Sequence, residues 1–178
     1  QERPADEALT FRQVLSWTAQ LGCQWMRCDE YGHLCVGWYP LEPKAEDSLK
    51  IRSTIGLTVN LEEVVITGLK VTEYTTDDSN GTSYLYGTEG YVLSIDKNQL
   101  ITAGTGKDAA EKIGRQCVGM HFRPFSCSQL MDIAMEAGDA VVVTDRKGNT
   151  YQSYVTVTTL KPGEYQSVAC NAKSAERN

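Results

Sequence analysis

The stretch at residues 91–101, YVLSIDKNQLI, constrains this chain more than any other, because a strand pattern there runs straight into a polar break and then toward a helix. Tyr91, Leu93 and Ile95 alternate with Val92, Ser94 and Asp96, the two-residue period of a strand with one buried face. Asn98 and Gln99 interrupt that period, Leu100 and Ile101 resume it briefly, and Gly104 and Gly106 open a turn. The downstream elements are expected to pack around this segment. The residue pattern carries no catalytic signature and predicts a soluble mixed α and β domain.

A chain of 178 residues can bury a core without staples, as one large domain or a small one attached to a larger one. Apolar residues at 41% and charged ones at 22% weigh against wholesale disorder. The net charge of −6 speaks against a nucleic-acid groove or an anionic membrane surface as partner. No apolar run approaches the ~18 residues of a spanning helix. The sequence starts at Gln1 rather than Met, so a trimmed or processed chain is expected, and loss of a signal peptide stays open.

Residues 1–8 are polar and expected to fray. Thr10 and Gln13 then form a capping box, with Leu9 and Val14 as its hydrophobic staple, and fix a helix start. Phe11, Val14, Leu15, Thr18, Ala19 and Leu21 fall near one face, and Gly22 is the expected left-handed stop. A hairpin follows, with strands at 24–29 and 33–39 joined around Glu30, Tyr31 and Gly32. A turn on Tyr31 and Gly32 would set Trp25 opposite Trp38 and Cys28 opposite Cys35. Residues 40–50 (PLEPKAEDSLK) read as a linker, which places a boundary there: a helix-hairpin unit at 1–40 and a mainly β unit at 41–178. Within the second unit, strands are expected at 64–74, 83–86 and 91–95, with residues 76–82 an exposed polar loop. Thr105 and Asp108 suggest a second capped helix with Ala109, Ile113 and Cys117 on one face, made weak or short by Gly114 and Gly119. Late strands at 120–126, 140–144, 151–159 and 165–170 are separated by the turns DRKGN and LKPGE. The fold class expected is α+β: a small helix plus β-hairpin unit, then a mostly antiparallel β-barrel-like domain with one short helix.

Each constellation that could carry chemistry has a plainer reading. Cys23, Cys28, His33 and Cys35 offer zinc ligands, but none of the tight knuckle spacings is present. The six cysteines, which also include Cys117, Cys127 and Cys170, read as reduced thiols filling small apolar sites, with no obligatory disulfide. Cys117 and His121 resemble a nucleophile and base, but glycine between them breaks the helix that would align them. Asp77, Asp78 and Asn80 miss the alternating spacing of a calcium loop. Tyr84, Tyr86 and Tyr91 suggest an aromatic sugar platform, or simply a half-exposed sheet. The adjacent pairs Glu62–Glu63 and Asp77–Asp78 would point to opposite faces of a strand, which does not suit a hydrolase. No catalytic, cofactor or metal residues are assigned.

The series G-x-x-Y-x-L-x-I-x-x-N-x-L-I ending at Ile101, then a helix, then Phe122, Pro124 and Phe125, then Gly138, Asp139, Val141, Val143, Asp145, Gly148 and Tyr151, resembles the tail hub proteins of phages and prophages of Gram-positive bacteria, which are related to baseplate hubs of contractile tails. Thr10, Arg12, Val14, Leu15, Ala19, Gly22, Gly32 and Leu34 fit the helix and hairpin of that family; Gln99 departs from it where proline is usual. The resemblance implies the C-terminal portion of a structural, non-enzymatic hub: a β-barrel domain assembled as a ring, with a smaller α and β domain inserted beside it. Its implied partners are copies of itself and other tail proteins, with no specific nucleic-acid binding, no membrane and no cofactor. The implied location is the virion tail, after assembly in the bacterial cytoplasm. Alternatives are a carbohydrate-binding module of a secreted cell-wall protein and, less favoured, a cell-wall hydrolase.

Overall fold

The structure, a computed structural model, describes residues 9–29, 31–41, 44–52, 54–75, 78–161 and 163–171. The expectations for residues 1–8, Glu30, Thr76, Asp77 and Pro162 lie outside these. In chain order the elements are α1 (Phe11–Leu21), β1 (Trp25–Cys28), β2 (Leu34–Gly37), β3 (Leu49–Ile51), β4 (Thr54–Val59), β5 (Val64–Val65), β6 (Gly68–Thr75), β7 (Asp78–Gly87), β8 (Val92–Ile95), α2 (Gly106–Cys117), β9 (His121–Phe122), β10 (Phe125–Gln129), β11 (Ala140–Thr144), β12 (Thr150–Tyr154), β13 (Val157–Thr159) and β14 (Gln166–Cys170). The chain is thus mostly β with two helices among the described residues, an α+β fold.

Two compact units alternate along the sequence: Gln1–Trp38 with Ile66–Gly119, and Tyr39–Val65 with Met120–Asn178. This division differs from the expected 1–40 and 41–178. Among the described hydrophobic residues of the helix-hairpin segment only Ala19 and Cys23 are buried, so the segment does not close a core of its own. Leu21, Cys23 and Trp38 instead join a cluster with Leu69, Val71, Ile95, Ile113 and Cys117, all from 66–119.

In the first unit the capping box forms as expected. Thr10 Oγ1 accepts from Gln13 N at 3.3 Å, and Gln13 Oε1 accepts from Thr10 N at 2.9 Å. Phe11, expected on the buried stripe, is 79% exposed, whereas Ala19 is buried. The helix does not stop at a left-handed Gly22, whose φ is −85°. Cys23 takes that role with φ 50°, and Gln24 N donates to Ala19 O while Cys23 N donates to Gln20 O, the paired bonds of a Schellman end.

The β1–β2 hairpin forms, but its register is shifted by one from the expectation. Trp25 lies opposite Gly37, Arg27 opposite Cys35 and Cys28 opposite Leu34. Asp29 is the cause: its Oδ1 accepts from Tyr31 N at 3.0 Å and His33 N at 2.7 Å, and Asp29 N donates to His33 O, so the loop holds three residues and not two. Trp25 consequently stacks over the hydrogen face of Gly37, with the Arg27 guanidinium 5.1 Å from its ring centre.

The central sheet of this unit has the order β7-β6-β8. β6 pairs antiparallel with β7 and parallel with β8, setting Leu69 beside Leu93 and Val71 beside Ile95. Most of the loop expected at 76–82 is strand, since β7 begins at Asp78. α2 packs on this sheet, and two expectations about it are corrected. Thr105 makes no side-chain cap; Glu73, reaching across from β6, accepts from Gly106 N at 2.7 Å. Gly114 does not shorten the helix, which runs twelve residues. It lets α2 approach so closely that a Cβ at this position would overlap the Tyr86 ring.

The second unit holds sheets ordered β13-β14-β10-β4, β12-β11-β3 and β5-β9. Alternation buries Val141, Val143 and Val168 completely, together with Ile51 of β3 and Val155. β3 pairs parallel with β11, so Leu49 and Lys50 belong to a sheet and not to a linker. Tyr154 donates to the Pro40 carbonyl, and its ring meets Tyr39 edge-on at 5.0 Å between centroids. The expected linker at 40–50 is thus in large part tied into this unit. Among the described residues none of these sheets closes on itself into a barrel.

Candidate functional site

The residue sets that suggested chemistry do not assemble. Cys23 is buried, Cys28 is exposed, and His33 turns its Nδ1 to Asp29 Oδ2 at 3.1 Å. No group of three or more metal-ligating side chains comes together among the described residues. Cys117 is buried at the end of α2, while His121 Nδ1 sits 3.5 Å from Glu63 Oε2. Asp77 of the calcium set and of the carboxylate pair lies outside the described residues. Glu63 is held by Arg123 at 3.1 Å, which leaves it as an ion-pair partner. The sugar platform is also corrected: Tyr84 and Tyr86 turn inward against α2, with Tyr84 OH donating to Glu73 Oε1 at 3.0 Å.

The residues of the motif series instead hold turns and loops. Asp145 Oδ1 accepts from Lys147 N and Asn149 N, at 2.8 and 2.9 Å, while its Oδ2 accepts from Asn149 Nδ2 and Tyr151 OH. Gly148 completes that turn at φ 86°. Gly138 adopts φ 111°, and the next residue, Asp139, accepts from Glu136 N at 2.8 Å. Between Phe122 and Pro124, Arg123 donates to the carbonyls of Asn60 and Leu61 and lies over the Tyr151 ring. In 91–101, Asn98 is 3% exposed and donates to Trp17 O at 3.1 Å and Gln20 Oε1 at 3.0 Å, while accepting from Leu100 N at 3.0 Å. The polar break thus anchors the loop to α1.

Sequence reasoning missed four anchoring side chains, Asn98, Gln129, Gln166 and Glu73. Asn98 had a legible signal, a side-chain turn to the residue two ahead. Gln129 and Gln166 fall on the buried parity of β10 and β14, in line with Cys127 and Val168, which alternation alone could have flagged. Gln166 Oε1 accepts from Gln129 Nε2 and Asp132 N, and its Nε2 donates to Thr158 Oγ1 at 2.9 Å. Glu73 had no local signal, because its partners Tyr84 and Gly106 lie 11 and 33 residues away.

Electrostatics point the same way. The Gly106 amide holds the Glu73 carboxyl below the usual range, helped by the Gly104 and Thr105 amides and Tyr84. Asn149 does the same for Asp145. Burial pushes the Cys127 thiol up to about 11 and the Tyr154 hydroxyl up to about 12. These shifts belong to groups locked in structure, not to an acid and base facing a common cleft.

What the molecule offers is surface for contact. In the first unit a groove of about 610 Å³ runs between α1 and the hairpin, bordered by Phe11, Leu15, Trp25 and Leu34. In the second, Leu130 and Ile133 are 70% and 78% exposed on a loop that the Gln166 network pins at Asp132. No described helix is long and apolar enough to cross a membrane.

No family model matches the sequence, and no curated protein matches it. Among solved structures the chain is similar to the 43 kDa tail protein of prophage MuSo2 from Shewanella oneidensis, at 12% identity over 92% of this chain and 55% of that one, with a TM-score of 0.47. It is also similar to a tail protein from Neisseria meningitidis MC58, at 10% identity over 94% and 55% of the two chains and a TM-score of 0.49. A third likeness is to prophage tail protein gp18 from Listeria monocytogenes EGD-e, at 15% identity over 93% and 54% and a TM-score of 0.41. The chain therefore spans about half the length of these proteins.

Proposed function

We propose that this chain is a structural, non-enzymatic component of a phage or prophage tail, part of a baseplate hub subunit that forms a ring with copies of itself at the tail tip. The observation that carries the reading is the alternation of units along the sequence: a β-rich unit, 39–65 and 120–178, is interrupted by 66–119, which completes an α+β unit with 1–38. An inserted α+β domain in a β-rich hub is what the motif resemblance implies. The turn residues of that resemblance hold scaffold here, as an assembly protein requires. Strands from the remainder of a longer hub would close the open sheets of the second unit into a barrel and join neighbouring copies through sheet edges. The net charge of −6 suits a tail lumen in which DNA of like charge slides without sticking. Other tail proteins complete the set of partners, assembly takes place in the bacterial cytoplasm, and the virion tail is the final location. The test is the full-length protein in light scattering and electron microscopy. A closed ring supports the reading; a strict monomer that binds DNA tightly at physiological salt overturns it.

A further inference from the structure

Two surfaces of this chain turn apolar side chains outward, and they are opposite in charge. The first is the groove between α1 and the β1–β2 hairpin, about 610 Å³ in volume. Phe11 and Leu15, one helical turn apart, line it from α1, and Leu34 lines it from the hairpin, with Phe11 79% and Leu34 48% exposed. Arg12 and Arg27 line it as well, and no described carboxylate does. Such a cationic groove stands out in a chain of net charge −6.

The second surface is the loop after β10, residues 130–136 (LMDIAME), which has two carboxylates and no cation. Leu130 and Ile133 are 70% and 78% exposed, and Asp132 stands exposed between them. Their exposure belongs to an ordered loop. Asp132 N donates to Gln166 Oε1 at 2.9 Å, Ala134 N to Asp132 Oδ1 at 3.1 Å and Met135 N to Asp132 O at 3.1 Å. Met135 is buried, and its Sδ accepts from Gln129 Nε2 at 3.2 Å. The loop is thus fixed with large apolar side chains facing water, an arrangement that a covering partner accounts for, and it needs little further ordering when that partner binds.

We propose that the 130–133 loop of one copy seats in the α1–hairpin groove of a second copy, with Leu130 and Ile133 against its apolar lining and Asp132 facing Arg12. The occupant is a second copy because a single chain carries both halves, a cationic apolar groove and an anionic apolar loop. The two patches differ, so the contact is heterologous: every pair leaves one groove and one loop open, and copies add head to tail until the rotation closes a ring. Apolar burial supplies the affinity, while the charges fix the register and weaken with salt. The inference rests on the ring reading above and names the contact between its copies.

The test is sedimentation velocity of the full chain from micromolar to millimolar concentration, for wild type and two variants. Phe11→Asp/Arg12→Glu changes only exposed residues in the first turn of α1, which has no acidic residue and tolerates one at its positive end. Leu130→Ser/Ile133→Ser removes the exposed apolar pair and leaves Asp132 in place. Wild type should form species that grow past the dimer with concentration. Each variant alone should associate ~10-fold more weakly or worse. An equimolar mixture of the two should form a one-to-one dimer and stop there, since it holds one intact groove and one intact loop per pair. That dimer also shows that both variants fold; Arg12→Glu and Ile133→Ser singly replace a double variant that does not. A wild-type chain that stays monomeric overturns the proposal and leaves the groove to a different protein. Undiminished association in either variant, or a mixture without the dimer, overturns it as well. Micrographs of the full-length protein separate the two readings. A ring that survives both sets of substitutions stands while this contact falls. Absence of a ring in the unsubstituted protein removes the ring reading, and sedimentation of the chain still decides the contact.

Discussion

Asn98→Ala removes one side chain and three hydrogen bonds. The amide orientation is set by its surroundings, since Nδ2 faces the Trp17 carbonyl and Gln20 Oε1 while Oδ1 faces the Leu100 amide. Each bond contributes about 1 kcal/mol net, and a buried group left without a partner costs ~1–3 kcal/mol. The Gln20 amide is only half-buried and regains water, whereas the Leu100 amide loses the acceptor it has in Asn98. The sum comes to roughly 2–3 kcal/mol, or a melting temperature lower by about 4–12 °C for a chain of this size. Asn98→Asp is the sharper variant: it keeps the acceptor for Leu100 but turns a second acceptor onto the Trp17 carbonyl, so it should be no more stable than the alanine variant. Urea unfolding followed by tryptophan fluorescence reads the first quantity. Hydrogen exchange at the Leu100 amide reads the second and does not depend on the two units unfolding together. A change within about 0.5 kcal/mol for both variants, with unaltered exchange at Leu100, would refute the idea that the polar break is an anchor.

Three further outcomes are expected. Gly114→Ala should destabilise by about 1–3 kcal/mol in spite of the higher helix propensity of alanine, because the new methyl group meets the Tyr86 ring; a stabilised variant would contradict the close seat described here. The Glu73 and Asp145 carboxyls have folded-state pKa values below their unfolded ones, so their contribution is fully present above about pH 4 and is lost as pH falls through the lower folded values. The urea midpoint should therefore drop as pH falls below about 4, less steeply in Glu73→Gln, and a midpoint that stays flat on acidification would count against both networks. Chelator together with reductant should leave the melting temperature of freshly reduced protein unchanged; a fall with chelator alone would restore the zinc reading of Cys23, Cys28, His33 and Cys35.

What the sequence determined by itself was local. Thr10 and Gln13 start α1 because a capping box needs only four consecutive residues, and the alternation from Tyr91 to Ile95 makes a strand because side-chain parity is a property of the strand alone. The Asp145–Gly148 turn is legible for the same reason, since one carboxylate satisfies amides two and four residues ahead. Long-range choices were decided only in three dimensions. The cap of α2 comes from Glu73 on β6 and not from the adjacent Thr105, because a preformed strand brings a carboxylate to the helix end with its geometry already set. The parallel partners β6–β8 and β3–β11 and the alternating units depend on which apolar faces meet, and apolar burial is not directional enough to name its partner in a sequence. Even the β1–β2 register, a local matter, turned on one competition that composition does not reveal. Asp29 closes a three-residue loop with its own side chain, and that single choice moves Trp25 from Trp38 onto Gly37.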